Sequence, residues 1–299
     1  MRREFKDIYQ DVEKEEGFLA GHSLCPGCPG ALLHKYISRT MGQNTIISFG
    51  ASCVCTPGIM FPQAVTLPSL YISMASGASG MTGVASALNV LRRKGRLKEK
   101  ERIVPIAIAG DGSACDIGFA ALSGAAERNE DGIFFTFDNE AYMNTGIQRS
   151  SLTPQYSWTQ TTLKGKPQRK KDMPMIMADH KIPYCATASF AFPEDFIAKV
   201  LKAKTMEPGF KYIHALACCP TGWRFPESKT IEVSRLSVET GMWNLFEIDH
   251  GEFRLTYKPK ERRPVEDYLS LQGRFSHLTS SDYERIQKEV DAKCEKLGC

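Results

Sequence analysis

The sequence predicts an α/β protein built on a doubly wound, mostly parallel sheet. Two observations carry that expectation. Short apolar runs recur along the chain, and segments of helix length separate them. Strands spaced in this way form βαβ units, and a sheet covered by helices on both faces makes its strands read as continuous apolar runs.

The elements follow in chain order. Residues 44–49 (NTIISF) read as the first strand, and Gly77–Arg93, rich in Gly, Ala, Ser and Leu, reads as a tightly packed helix. Its Gly77-x-x-Gly80-x-x-Gly83 pattern lacks the G-x-G-x-x-G spacing of a dinucleotide loop and reads as close helix packing. Residues 103–109 (IVPIAIA) end in Gly110-Asp111-Gly112 and suit a buried parallel strand, with residues 117–127 as the helix after it. Residues 132–137 (GIFFTF), 183–189 and 210–217 are further strands, and residues 192–205 are a helix opened by Pro193-Glu194-Asp195.

Two stretches break the rhythm. Residues 150–174 are polar and read as a long excursion, and loops of that length are usually functional or disordered. From about Thr230 the chain is charged and of helix and loop character, punctuated by Trp243, Phe246, Tyr268 and Phe275. The expected organisation is therefore a site-bearing domain over residues 1–229 and a C-terminal extension over 230–299 that packs on the core or on a partner. The aromatic tail offers such a partner an apolar surface.

Composition bounds the function. The chain has 299 residues, 42% of them hydrophobic, which is ample for a large core. The formal net charge is only +4, and the basic clusters Arg92-Arg93-Lys94, Arg169-Lys170-Lys171 and Arg262-Arg263 are short. No basic stripe argues for nucleic acid. The start, MRREFKDIYQDVEKEEGF, is charged and has no apolar segment typical of a secretory signal. No apolar run approaches the roughly 18 residues that span a membrane. The expected location is the cytoplasm. Cytosolic disulfides are rare, so the ten cysteines point to metal binding or catalysis where they cluster, at Cys25/Cys28, Cys53/Cys55 and Cys218/Cys219. Cys115, Cys185, Cys294 and Cys299 stand alone.

Two constellations carry chemistry. The first is Gly110-Asp111-Gly112 after one apolar strand, followed 28 residues after Asp111 by Asn139 at the end of the next. Parallel strands end side by side and face one crevice, so Asp111 and Asn139 converge. Their hard oxygens suit Mg²⁺, which shares its sphere with phosphates. The glycines admit a diphosphate close to the backbone, and the helix beginning near Ser113 supplies free N–H groups. The second constellation is Cys25-Pro-Gly-Cys28, then Cys53, then Cys219 after a distant strand. Four thiolates suffice for a [4Fe–4S] cluster. Zinc is the metal alternative, weakened by the missing second C-x-x-C, and a thioredoxin-like redox pair is weaker because this C-x-x-C precedes the first strand.

The first constellation resembles the thiamine diphosphate enzymes, whose signature is GDG followed at this distance by Asn. That resemblance implies Mg²⁺ held by the side chains of Asp111 and Asn139 and the carbonyl of Ala141. It places the diphosphate on Gly112 and Ser113, with Gly110, Asn144 and Thr145 completing the cofactor site. Together the two constellations resemble the β subunit of four-subunit 2-oxoacid:ferredoxin oxidoreductases of the pyruvate synthase type. The resemblance covers nearly the whole chain, through GHSLCPGC, GDGSACDIGFAALSGAAERN, DNEAYMNTGIQRSSLTPQYSWTQTT, IPYCATASF, CPTGWRFP, ETGMWNLFEI and YLSLQGRFSHL. It implies Cys25, Cys28, Cys53 and Cys219 as cluster ligands, with Cys219 preferred over Cys218, and Asn144 as a catalytic group near the reactive carbon. One departure is Pro29, where the family commonly has Gly or Ala; Cys55, Cys115 and Cys218 are extra thiols near the site.

The implied activity is oxidative decarboxylation of a 2-oxoacid, with electrons leaving through the cluster to ferredoxin and coenzyme A taking the acyl group. Pyruvate is the default substrate; 2-oxoisovalerate, oxalate and arylglyoxylates are the alternatives. The chain lacks the pyrimidine-side domain that carries the activating glutamate in this family, and it lacks a ferredoxin-type cysteine run. The implied partners are an α subunit bearing that domain, a γ subunit and a ferredoxin-like δ subunit. Two other classes compete: a non-redox thiamine diphosphate decarboxylase or carboligase subunit with structural or zinc-bound cysteines, and a non-catalytic scaffold, against which the intact Asp111/Asn139 pair argues.

Overall fold

A computed structural model describes residues 16–97 and 102–299. Residues 1–15 of the charged N-terminal segment lie outside the described residues.

The apolar runs become the strands of one eight-stranded sheet, in the order β2-β1-β3-β4-β6-β5-β7-β8. Six strands pair in parallel: β1 (Thr45–Gly50), β2 (Ser69–Ile72), β3 (Val104–Gly110), β4 (Gly132–Asp138), β5 (Tyr184–Ser189) and β6 (Phe210–Leu216). Every residue of β3, β4, β5 and β6 is buried, as strands covered on both faces require. One core cluster contains Leu33, Phe49, Phe135 and Ile213, and a second contains Met81, Leu122, Phe134 and Tyr212.

The helices form where their local chemistry favours them. Pro193–Thr205 opens with Pro at its first turn, carries Glu194 and Asp195 there, and places Lys202 and Lys204 in its last turn. Those charges complement the helix dipole at both ends. Ser280–Leu297 starts with a Thr279/Asp282 capping box and stops at Gly298 in the left-handed conformation.

Most of the C-terminal tail is helix and loop, with one addition. Phe246–Asp249 forms β7, antiparallel to β5, and Glu252–Leu255 forms β8, antiparallel to β7. The aromatics expected as partner surface are instead committed to this chain's own interior: Trp243, Phe246, Tyr268 and Phe275 are all buried. The Trp243 indole N–H donates to the Ala188 carbonyl at 3.1 Å, pinning the tail to β5. Large exposed apolar side chains include Ile59, Met60 and Phe61, with Ile231 and Phe253 in the tail.

Helix Gly77–Arg93 packs against the sheet as its glycines suggest, but only one of them is tight. A methyl group at Gly80 would run into the Ser48 hydroxyl and the Ile72 side chain, whereas Gly83 has open space. The Ser48 hydroxyl already donates to the Gly77 carbonyl at 3.1 Å, so it does not move aside freely. Gly80→Ala is therefore expected to lower stability by about 1–3 kcal/mol, as overpacking does. Gly83→Ala is expected to raise it by up to about 1 kcal/mol, because alanine is the better helix former. Thermal unfolding of the two variants checks the opposite signs.

Candidate active site

The carboxyl ends of β1, β3 and β4 lie side by side and open into one cleft. Its walls are Ala51, Ser52 and Cys53 after β1, Gly110, Asp111, Gly112 and Ser113 at β3, and Asn139, Ala141, Tyr142, Met143, Asn144 and Thr145 after β4, with Met74 at the rim. All eight residues expected at a cofactor site thus line a single cavity. The chain runs out from β1 to the edge strand β2 and returns across it to β3, so the cleft sits where the strand order reverses. Open α/β sheets bind ligands at that place.

The turn after β3 is not the simple helix start expected. Ser113–Ile117 is a π-helical turn, and the α-helix runs only from Phe119 to Glu127. Such turns recur at functional sites. Gly112 cannot carry a side chain here, because an added methyl would fall on the Tyr142 ring. Tyr142 is held by its hydroxyl, which donates to Asp116 Oδ2 at 3.2 Å. The Ser113 hydroxyl donates to the Met74 carbonyl, which closes the loop over the β1 side.

Asp111 is 3% exposed and accepts a hydrogen bond from Ser150 Oγ at 2.5 Å. Burial and the nearby Asp138 charge push its carboxyl well above the ordinary carboxylate range. A buried carboxylate in that position needs positive charge, and the carbonyl of Ala141 and the amide of Asn139 beside it are hard oxygen donors. The residues fit Mg²⁺ and a diphosphate. The long polar stretch is thus packed: Ser150 serves Asp111, and the fully buried Lys166 ammonium donates to the carbonyls of Thr153 at 2.6 Å and Ser151 at 3.0 Å.

Sequence reading missed the charges beneath the loop. Asp138 and Glu140 flank Asn139, and the Lys170 ammonium lies 2.6 Å from both carboxylates. Burial opposes the Asp138 charge, but Lys170 and the hydrogen bond from His214 Nε2 at 2.9 Å outweigh it and hold that carboxyl below its usual range. Arg274 pairs with Glu140 at 2.6 Å. The run DNEAYMNTGIQ and the segment LQGRF carried both halves of this network, but nothing local joins residue 140 to residue 274.

The cysteines gather next to the cleft. Cys25 and Cys28 share a turn closed by the Cys28 N–H donating to the Cys25 carbonyl at 3.0 Å, with Gly27 at φ 67°. A side chain at Gly27 would also meet Glu227 within 2.6 Å, so glycine is required twice over. Burial pushes the Cys28 thiol up to about 12, and charge on Cys219 and Cys25 adds to it. Burial likewise pushes Cys53 up to about 12, with charge on Cys219, Cys28, Cys25 and Asp111 contributing. The four thiols therefore share one neighbourhood, in which bare thiolates are disfavoured and a cationic iron core would relieve them. Backbone N–H groups already serve the sulfurs, as Gly222 donates to Cys219 Sγ at 3.4 Å. No three His, Cys, Asp or Glu side chains among the described residues close around one ion. Cys218 is fully buried in the core, and burial pushes its thiol well up. Cys55 is also buried and donates to the Ser52 carbonyl at 3.0 Å.

Comparison with known proteins shows the family and the fold. Residues 28–215 match the family described as thiamine pyrophosphate enzyme, C-terminal TPP binding domain. The chain is 46% identical to pyruvate synthase subunit PorB of Methanocaldococcus jannaschii, over 97% of this chain and 99% of that one. It is 41% identical to ketoisovalerate oxidoreductase subunit VorB of Pyrococcus horikoshii, over 97% of each. Among solved structures, a chain of 2-oxoglutarate:ferredoxin oxidoreductase from Magnetococcus marinus shares the fold, with a TM-score of 0.57 at 18% identity over 94% of each chain.

Proposed function

Because this chain belongs to the thiamine diphosphate-binding PorB and VorB subunit family of 2-oxoacid oxidoreductases, we propose that it is the β subunit of a cytoplasmic 2-oxoacid:ferredoxin oxidoreductase acting on pyruvate. It would hold Mg²⁺, thiamine diphosphate and a [4Fe–4S] cluster. Cys53 is the observation that carries the redox part of this reading. It lines the GDG cleft and also lies within electrostatic reach of Cys25, Cys28 and Cys219. A cluster on those thiolates would stand directly beside the cofactor, which is where one-electron oxidation needs it. A non-redox thiamine enzyme has no use for that adjacency.

Each residue has a role in the proposal. Asp111, Asn139 and the Ala141 carbonyl would hold Mg²⁺, and Gly110, Gly112, Ser113 and Thr145 would seat the diphosphate. Asn144 would face the substrate as the catalytic side chain of this chain. The bound cofactor supplies an electron sink for loss of CO₂. The protein's part is to orient the substrate, to exclude water and to keep the cluster thiolates at the cleft wall. Coenzyme A would take the acyl group and ferredoxin the electrons. The relative named for ketoisovalerate supports 2-oxoisovalerate as the second substrate reading.

Among the described residues, the cleft offers no carboxylate for the aminopyrimidine side of the cofactor other than Asp111, which is already assigned to the cation. The proposal therefore includes an α subunit that brings the activating glutamate, with γ and ferredoxin-like δ subunits for the onward electron path. The purified chain alone, given thiamine diphosphate, Mg²⁺, coenzyme A and a panel of 2-oxoacids, is expected to reduce no dye anaerobically. Adding the α subunit should restore decarboxylation, fastest with pyruvate, and reduce the cluster. Robust turnover by the single chain would overturn the shared site.

A further inference from the structure

Glu140 lies between the two residues assigned to the cation, and its backbone is in the left-handed region at φ 68°. Outside glycine that conformation is strained and persists only where surrounding contacts enforce it. The enforcing contacts are two ion pairs, to Lys170 and Arg274, each at 2.6 Å. The Arg274 guanidinium is itself fully enclosed. It stacks over the Trp223 ring at 3.7 Å and donates through Nε to Gln272 at 2.9 Å.

Trp223 links this clamp to the cysteine side. Its indole N–H donates to the Asn139 carbonyl at 2.8 Å, and its backbone N–H donates to the Cys219 carbonyl at 2.9 Å. Gly222, just before it, packs so closely on Met143 of the cleft wall that a methyl group there would strike the sulfur. The two loops are therefore joined by a short hydrogen-bonded route through one fully buried side chain. Nothing else in the proposed chemistry requires a tryptophan, a buried arginine and a strained glutamate at these places.

We propose that Glu140, Arg274 and Trp223 are positioning residues that lock the Asn139–Ala141 loop to the Cys219 loop, so that filling of the diphosphate–metal site alters the environment of the Cys219 sulfur. The inference rests on the reading given under Proposed function and adds to it a coupling between its two sites. The geometry is directional: pulling the Asn139 side chain onto a cation moves its carbonyl, and Trp223 passes that displacement to the peptide of Cys219.

The test uses the anaerobically purified complex. Trp223→Phe removes the indole N–H but keeps a ring under Arg274; Arg274→Lys keeps the charge but loses the planar stacking and is the second variant should the first fold poorly. The readouts are iron content, the dissociation constant of Mg²⁺ with thiamine diphosphate by titration calorimetry, and the electron paramagnetic resonance spectrum of the reduced cluster before and after cofactor addition. In the wild type the spectrum should change when the cofactor binds. Both variants should keep the iron content of the wild-type complex and bind the cofactor roughly tenfold more weakly, as loss of a supporting group around a metal site does. The spectral change should disappear in both. Variants with wild-type affinity and a wild-type spectral change, or a wild-type spectrum indifferent to the cofactor, would overturn the coupling. Wild-type protein that binds no cofactor or no iron would instead overturn the functional reading on which it rests.

Discussion

Replacing Asp111 with alanine is expected to abolish binding of thiamine diphosphate with Mg²⁺ while leaving the iron content unchanged. The carboxylate is buried at the cleft floor, where burial and Asp138 both oppose its charge. Only a cation makes an ionised carboxylate favourable there, and without Asp111 the diphosphate loses the metal that neutralises it. Asp111→Asn is the sharper variant. It keeps an acceptor for the Ser150 hydroxyl and the shape of the turn, so circular dichroism and thermal unfolding should show an intact fold. Its cofactor affinity should still fall at least about 100-fold, the upper range for loss of a group at a metal site. Calorimetric titration beside iron analysis separates the two sites, because they use different side chains. Wild-type affinity in either variant would remove Asp111 from the ligand set.

Cys219→Ala should lose the cluster, and Cys218→Ala should keep it. The neighbouring thiols differ in environment, not in chemistry. Cys219 opens the short helix Pro220–Trp223, accepts the Gly222 N–H, and stands in reach of Cys25, Cys28 and Cys53. Cys218 is fully buried in the core cluster, where its loss removes packing. Anaerobic iron analysis should return about four irons per chain for the wild type and Cys218→Ala, and well under one for Cys219→Ala. Stoichiometric zinc with negligible iron in the wild type would sink the cluster assignment outright. Equal iron in both variants would shift the fourth ligand to another residue.

Much of the fold and of the cleft is legible in the sequence because it is local. The central strands are apolar runs bounded by turn residues, and their limits fall within a residue or so of those read from the sequence: 103–109 against Val104–Gly110, and 132–137 against Gly132–Asp138. Gly110-Asp111-Gly112 and Asn139 each end such a run, so parallel pairing alone brings them to one edge. Elements without a strong local pattern escaped. Edge strand β2 is four residues long and half exposed, so it presents no apolar run. Helix Gly30–Met41 did carry a signal in Leu33, Ile37 and Met41, a spacing of four that faces the core.

What the sequence determined by itself is therefore the central strands, the conformation-dictating glycines and the two groups of candidate ligands. Tertiary structure alone decided which distant residues meet. Placing β6 beside β4 carries Cys219 to the edge that already holds Cys53 and Asp111. The same packing delivers Arg274 to Glu140, and the tail aromatics to the core where an interface was expected. Strand order and tail docking are settled by burial of matching faces and by compensation of buried charge. Those terms depend on pairs of residues far apart in the chain, and no spacing along it records them.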